Sequence, residues 1–176
     1  MKDLSKMVVT LLVISMISGL VLAVTYENVY PKILANDEAK LIGSLKVLFP
    51  ESNDFKEIVI NDNVYYKAVK DGKMLGVAGS FTNTGFNGDI TFVVGVDTSG
   101  EVAGVELLGH TETPGLGARI ADESFISQFK GKMIDEAFLL GEDVDGITGA
   151  TISSRAITDG IKNAANELAS VLDKIE

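Results

Sequence analysis

Asp145-Gly146-Ile147-Thr148-Gly149-Ala150-Thr151-Ile152-Ser153-Ser154 runs from a polar turn straight into the C-terminal segment of the chain. Hydroxyl side chains at 148, 151, 153 and 154, with Gly149 among them, stand where a helix begins. Helix starts favour Ser, Thr and Asp because their oxygens accept the orphan amides of the first turn. Those amides and the positive end of the helix dipole also attract phosphate. Gly149 lets a ligand approach the backbone closely. Downstream, Ile157, Ile161, Ala164, Ala165, Leu168, Val171, Leu172 and Ile175 recur at the spacing of one helix face, which predicts an amphipathic helix over 151–176. The stretch thus reads either as an N-cap or as an anion site at a helix start.

A second polar segment lies upstream, His110-Thr111-Glu112-Thr113-Pro114-Gly115-Leu116-Gly117. Pro114 fixes φ, while Gly115 and Gly117 permit backbone geometries barred to other residues, so the loop has a demanding shape and a bare surface. A flat ring fits against such a surface; a plain Gly/Pro turn accounts for the same residues. His110 reads as a hydrogen-bonding residue or a site residue. Glu112 reads as a clamp on backbone N–H groups or as a solvated charge.

The first segment closely resembles the flavinylation motif of the FMN-binding domain family, in which the Thr following Gly-Ala carries FMN through a phosphoester. Here that residue is Thr151. His110–Gly117 resembles the family's second hallmark, a loop bordering the flavin. The family includes the G subunit of the Rnf electron-transport complex and the C subunit of the sodium-pumping quinone reductase. The resemblance implies a covalent-FMN electron carrier in a membrane Rnf complex, coupling electron transfer between ferredoxin and NAD to Na+ or H+ translocation. It makes Thr151 an attachment point rather than a catalytic nucleophile. Thr148, Gly149, Ala150, Ser153, His110, Glu112, Thr113, Gly115, Leu116 and Gly117 then surround the cofactor, and Asp145 stands at the motif's acidic position. The partners so implied are the other membrane Rnf subunits and a separate flavin transferase. The transferase is needed because a Thr hydroxyl is a weak nucleophile and no base is evident beside it. Three other readings stay open: the C subunit of the quinone reductase, a tethered flavin domain feeding an extracytoplasmic reductase, and a non-redox anchored binding module in which Thr151 only caps a helix.

Composition narrows the chemistry. The 176 residues include no Cys and one His, which excludes disulfides, thiolate or multi-His metal sites and a Cys nucleophile. No nicotinamide-type Gly fingerprint on a βαβ unit is present, so direct NAD binding by this chain is not expected. The acids Asp135, Glu136, Glu142 and Asp143 read as a solvated face.

At the other end, Met7 to Val24 carry no charge, and 18 such residues span about 27 Å as a helix against a hydrocarbon core of about 30 Å. One transmembrane helix over 7–24 is expected, in preference to a cleaved signal peptide ending near Val21-Leu22-Ala23. Lys2 and Lys6 place residues 1–6 in the cytoplasm of a prokaryotic cell and the bulk of the chain outside. Tyr26 and Tyr30 suit the outer interface. Setting aside Lys2, Lys6 and Asp3 leaves 13 basic and 24 acidic residues, a net charge of −11 that disfavours nucleic acid and anionic headgroups.

Between these ends, residues 25–50 read as a helical connector, with Leu41, Ile42, Leu45, Val47, Leu48 and Phe49 at roughly helical period and Pro50 as its stop. Residues 51–176 read as the extracytoplasmic domain. Strands are expected at 55–60, 64–69, 74–81, 90–96 and 101–108, the second and third joined at Asp71-Gly72. A loop is expected over 82–89 and a helix over 118–130, with Gly160 in the last helix marking close packing against a neighbour. The fold class is α+β: a twisted, mainly antiparallel sheet with packed helices, tethered by one transmembrane helix.

Overall fold

The computed structural model describes residues 2–175. Met1 and Glu176, the outermost residues of the N-terminal and C-terminal segments read above, lie outside the described residues, as does the side chain of Lys2. The chain divides into two units, Met1–Ala39 and Lys40–Glu176.

Helix α1 covers Lys2–Leu48 and contains Pro31. Among the described residues it is the one helix long and apolar enough to cross a membrane, and its most apolar window has no buried residue. Within the first unit Tyr26 and Tyr30, one helical turn apart, stack with ring centroids 5.1 Å apart.

In the second unit five strands form a wholly antiparallel sheet in the order β1-β2-β3-β4-β5: Asp54–Ile60, Asn63–Lys70, Lys73–Thr84, Asp89–Asp97 and Val102–His110. Turn chemistry explains the meander. Asn61 and Asp62 have φ of 51° and 65°, and Asp71 and Gly72 have 50° and 81°, so each two-residue loop takes the positive-φ pair that matches the strand twist. Between β4 and β5 the carboxylate of Asp97 accepts from the Ser99 N–H, the Ser99 hydroxyl and the Glu101 N–H.

The sheet buries both faces. On one lie Leu45 and Leu48 of α1 and Phe49, over Ala68, Ala78 and Val93. That face is made of small residues for a reason of space: a Cβ on Gly95 would sit 2.9 Å from the Phe49 ring, and one on Gly104 would sit 2.9 Å from Leu48. On the opposite face lies α3, Thr151–Ile175, whose Ile157, Ile161 and Leu168 are fully buried against Val77, Phe92 and Val94. Each such side chain contributes roughly 1.5–3 kcal/mol of burial. Tyr65 donates to Glu167 of α3 at 2.5 Å, and burial, then that acceptor, push its phenol above the ordinary range.

Gly160 is where α3 comes nearest the sheet. A Cβ there would meet the Phe92 ring at 2.9 Å and Asn83 at 3.1 Å, and Asn83 is pinned by its own 2.6 Å bond to the Ala156 carbonyl. Helix propensity alone makes Gly160→Ala stabilising by about 1 kcal/mol. Overpacking against a fully buried ring outweighs that gain, and the expected result is a net loss of about 1–2 kcal/mol, read as a lower urea midpoint at unchanged slope.

Several expected boundaries move, and β5 takes in Gly109 and His110 beyond the strand expected over 101–108. β3 runs to Thr84, so the loop expected over 82–89 shrinks to residues 85–88, because Thr82 bonds Thr91 at 3.2 Å and Thr84 bonds Asp89 at 3.2 Å across the ladder. The helix expected over 118–130 is instead a 3-10 turn at Gly117–Ala121, a short α2 at Glu123–Ile126 and a second 3-10 turn at Ser127–Phe129. Asp122 has ψ of 137°, which no helix accommodates, and the break lets Ile120, Phe125 and Phe129 all reach the core.

Candidate functional site

Two turns of the same construction sit side by side at the start of α3. In the first, Ala150 N–H donates to the Ile147 carbonyl at 2.9 Å with Gly149 at φ +83°, the type II pattern that needs Gly at its third position. In the second, Leu116 N–H donates to the Thr113 carbonyl at 3.2 Å, with Pro114 second and Gly115, at φ +77°, third. The Thr113 carbonyl also accepts from Ala118 at 3.0 Å. A Cβ on Gly149 would lie 3.3 Å from Leu116 Cδ2, so the tips of the two turns touch there.

Glu112 joins the turns from below. Its side chain is buried, at 4% exposure, yet makes three hydrogen bonds. One carboxylate oxygen accepts from the Phe86 and Asn87 amides at 2.7 and 3.2 Å. The other accepts from the Ser153 hydroxyl at 2.6 Å. Gly117 is required beside it, because a Cβ there would lie 2.7 Å from the carboxylate and 2.9 Å from Ser153 Oγ. Glu112 is a clamp on backbone N–H groups and not a solvated charge, but the amides it holds are those of the 85–88 loop and not of its own.

The hydroxyls of the first segment now separate. Ser154, fully buried, accepts from Ile147 N–H and donates to the Ala150 carbonyl, both at 3.0 Å, and so holds the turn closed. Ser153 is committed to Glu112. Neither caps α3, and its first amides stay open to an anion. Thr151 is the first residue of α3, exposed, and its hydroxyl has no hydrogen-bond partner among the described residues. An exposed hydroxyl on uncapped amides at the positive end of a 25-residue helix fits a phosphate ester. Leu116 and Ile152, at 47% and 59% exposure, add apolar surface next to it, and Phe86, at 62%, is exposed on the loop whose amide Glu112 holds.

The remaining expected residues lie apart. His110 ends β5 opposite Ile90, with Nδ1 buried and unpaired. Asp145 is clasped through its main chain by Gln128, which accepts from its N–H at 2.7 Å and donates to its carbonyl at 3.3 Å. With Thr148, Arg119, Ser124 and Gln128 it lines a polar cavity of about 200 Å³. Glu106 is held above the usual carboxylate range, first by burial and then by Glu123. It lines a different cavity, of about 120 Å³. Sequence reading placed a loop over 82–89 but gave it no part in the site, and it missed Gln128. Gly85, which must lack a side chain to pass the Glu112 carboxylate, was the available signal in an Asn- and Gly-rich stretch.

Residues 85–166 match the model of the FMN-binding domain family. Over 177 aligned positions the chain is 30% identical to the G subunit of an ion-translocating oxidoreductase complex of Methanosarcina acetivorans, covering 94% of each chain. It is 30% identical to the G subunit of a proton-translocating ferredoxin:NAD(+) oxidoreductase complex from Clostridium ljungdahlii, covering 86% of this chain and 84% of that one. Among solved structures it is similar to the C subunit of the Na(+)-translocating NADH-quinone reductase from Parabacteroides distasonis, with TM-score 0.52 and 26% identity, over 62% of each chain.

Proposed function

Since the chain belongs to the family of G subunits of ion-translocating oxidoreductase complexes, we propose that it is the component that carries FMN covalently on Thr151 within an Rnf complex. The observation that carries the reading is the free Thr151 hydroxyl at an uncapped helix start, locked to the neighbouring Pro/Gly turn by the 2.6 Å Ser153–Glu112 bond. Attachment replaces the Thr151 hydroxyl proton by the FMN phosphoryl group, so the chain gains one FMN less one water; a separate flavin transferase would take that group from an activated flavin nucleotide, whose leaving group departs with the proton. The anchored cofactor supplies reversible electron transfer through its isoalloxazine ring. The chain's own part is to hold the phosphate at the first amides of α3, to set the ring beside Leu116 and Ile152, and to keep both turns in register through Glu112.

In this reading α1 crosses the membrane once, Lys2 and Lys6 stay in the cytoplasm, and the sheet unit lies outside. The covalent bond then answers a physical need, since a diffusible flavin on the outer face would be lost. Electrons pass between ferredoxin and NAD by way of partner subunits, with export of Na+ or H+. The C subunit of a quinone reductase is the second reading, favoured by the solved structure that the chain resembles.

The test is expression with a flavin transferase in a host that holds the complex. The wild-type mass is expected to rise by one FMN less one water, and affinity purification from membranes is expected to bring the other Rnf subunits. Capture of quinone reductase subunits instead would select the second reading. An unmodified chain without partners would leave an anchored binding module.

A further inference from the structure

Phe86 is the one exposed Phe of the chain's eight, at 62% exposure. It does not sit on a slack loop. The Gly85 amide closes onto the Gly88 carbonyl at 2.8 Å, and the Phe86 and Asn87 amides are held by Glu112. Asn87 is further tied to Thr111 by bonds of 2.7 and 3.0 Å between side chain and main chain in both directions. Gly85 and Gly88 allow the close fit, for a Cβ on either would run into Glu112 or Thr111. The loop is therefore fixed, and it presents a benzyl ring to solvent.

Its place follows from one carboxylate. Glu112 holds the Phe86 amide with one oxygen and, with the other, Ser153, two residues beyond Thr151. Leu116 reaches Gly149, two residues before Thr151, and Ile152 is its chain neighbour. The loop that carries the exposed Phe86 is thus fastened, through one carboxylate, to the helix start that carries Thr151 and the exposed Ile152. Aromatic rings bury large apolar areas and stack on other π systems, so a fixed, unpartnered ring beside an attachment point suits a flat heteroaromatic ligand.

We propose that Phe86 is a cofactor-contact residue, forming one apolar wall of the site against the isoalloxazine ring. This rests on Thr151 being the attachment point. It adds a contact from the β3–β4 loop, which belongs to neither sequence motif.

The chain has no Trp, so Phe86→Trp introduces a single indole. Indole quenches flavin emission by electron transfer at contact distance. In full-length protein loaded by the transferase and normalised by intact mass, Phe86→Trp is expected to lower fluorescence per attached FMN by roughly fivefold or more. Per attached FMN, Phe86→Ala is expected to lower the fluorescence anisotropy of the flavin and to shift its midpoint potential, with an unchanged far-UV spectrum. Unaltered emission per attached FMN in Phe86→Trp and unaltered anisotropy in Phe86→Ala would overturn the contact. Those same unaltered values together with loss of copurifying subunits would also overturn it, and would assign Phe86 to docking of a partner. A wild-type chain that takes up no flavin would overturn the Thr151 reading and this inference with it.

Discussion

Thr151→Val is expected to fold as the wild type does and to retain no flavin after denaturation. Val reproduces the branched shape of Thr, and the hydroxyl that it lacks makes no hydrogen bond in the folded chain. A surface change of this kind stays within about 0.5 kcal/mol of wild-type stability. The chemical effect is total, because without the oxygen no phosphoester forms. Intact mass and in-gel fluorescence measure both forms after coexpression with the transferase. Flavin that persisted in the variant would have to sit elsewhere, and the structure orders the alternatives. Ser153 and Ser154 are buried and bonded, whereas Thr148 is exposed beside a polar cavity. Thr148→Val would then be the next substitution.

The second large effect is expected at Glu112. Glu112→Ala removes the acceptor of three donors at once, the amides of Phe86 and Asn87 and the hydroxyl of Ser153. An unsatisfied buried donor costs about 1–3 kcal/mol, and the two loop amides recover part of that from entering water, so the expected loss is about 2–4 kcal/mol. The urea midpoint should fall accordingly. Loading of Thr151 should also drop, because the loop and the first turn of α3 lose their common anchor. Glu112→Gln keeps one carbonyl oxygen and replaces the other by a donor. It can serve the loop amides or Ser153 but not both, and an intermediate midpoint is expected. Wild-type stability in Glu112→Ala would show that the clamp does not hold the site.

These expectations also mark how far the sequence could be read. The C-terminal helix was legible because Ile157, Ile161, Ala164 and Leu168 carry its period, and the β2–β3 hairpin because Asp71-Gly72 admits few other shapes. The close packing expected of Gly160 is what the structure shows. The helix expected over 118–130 failed for an equally physical reason. Its apolar spacing is real, but Asp122 adopts an extended backbone and the burial of Phe125 and Phe129 is met by short turns. The two turns at 113–116 and 147–150 were marked in the sequence by their Gly, Pro and hydroxyl residues. The ambiguity of Glu112 could not be resolved from sequence, because its partners lie 26 positions before it and 41 after it. The part that residues 85–88 play was hidden by the same distance: a loop was expected there, but nothing local says that its amides share a carboxylate with Ser153 near the far end of the chain.

The strict meander has a consequence for when the acceptor comes into being. Each strand of the sheet pairs with the one just made, so its contacts span short stretches of chain and close with little entropy. Thr151 has no such local route. It is presented only after the last 25 residues have been synthesised and laid across β3 and β4, with Ser153 bridging back to Glu112. If Thr151 is the attachment point, as proposed, an enzyme that loads it acts on a finished polypeptide, and a premature stop early in α3 would leave the sheet without that site.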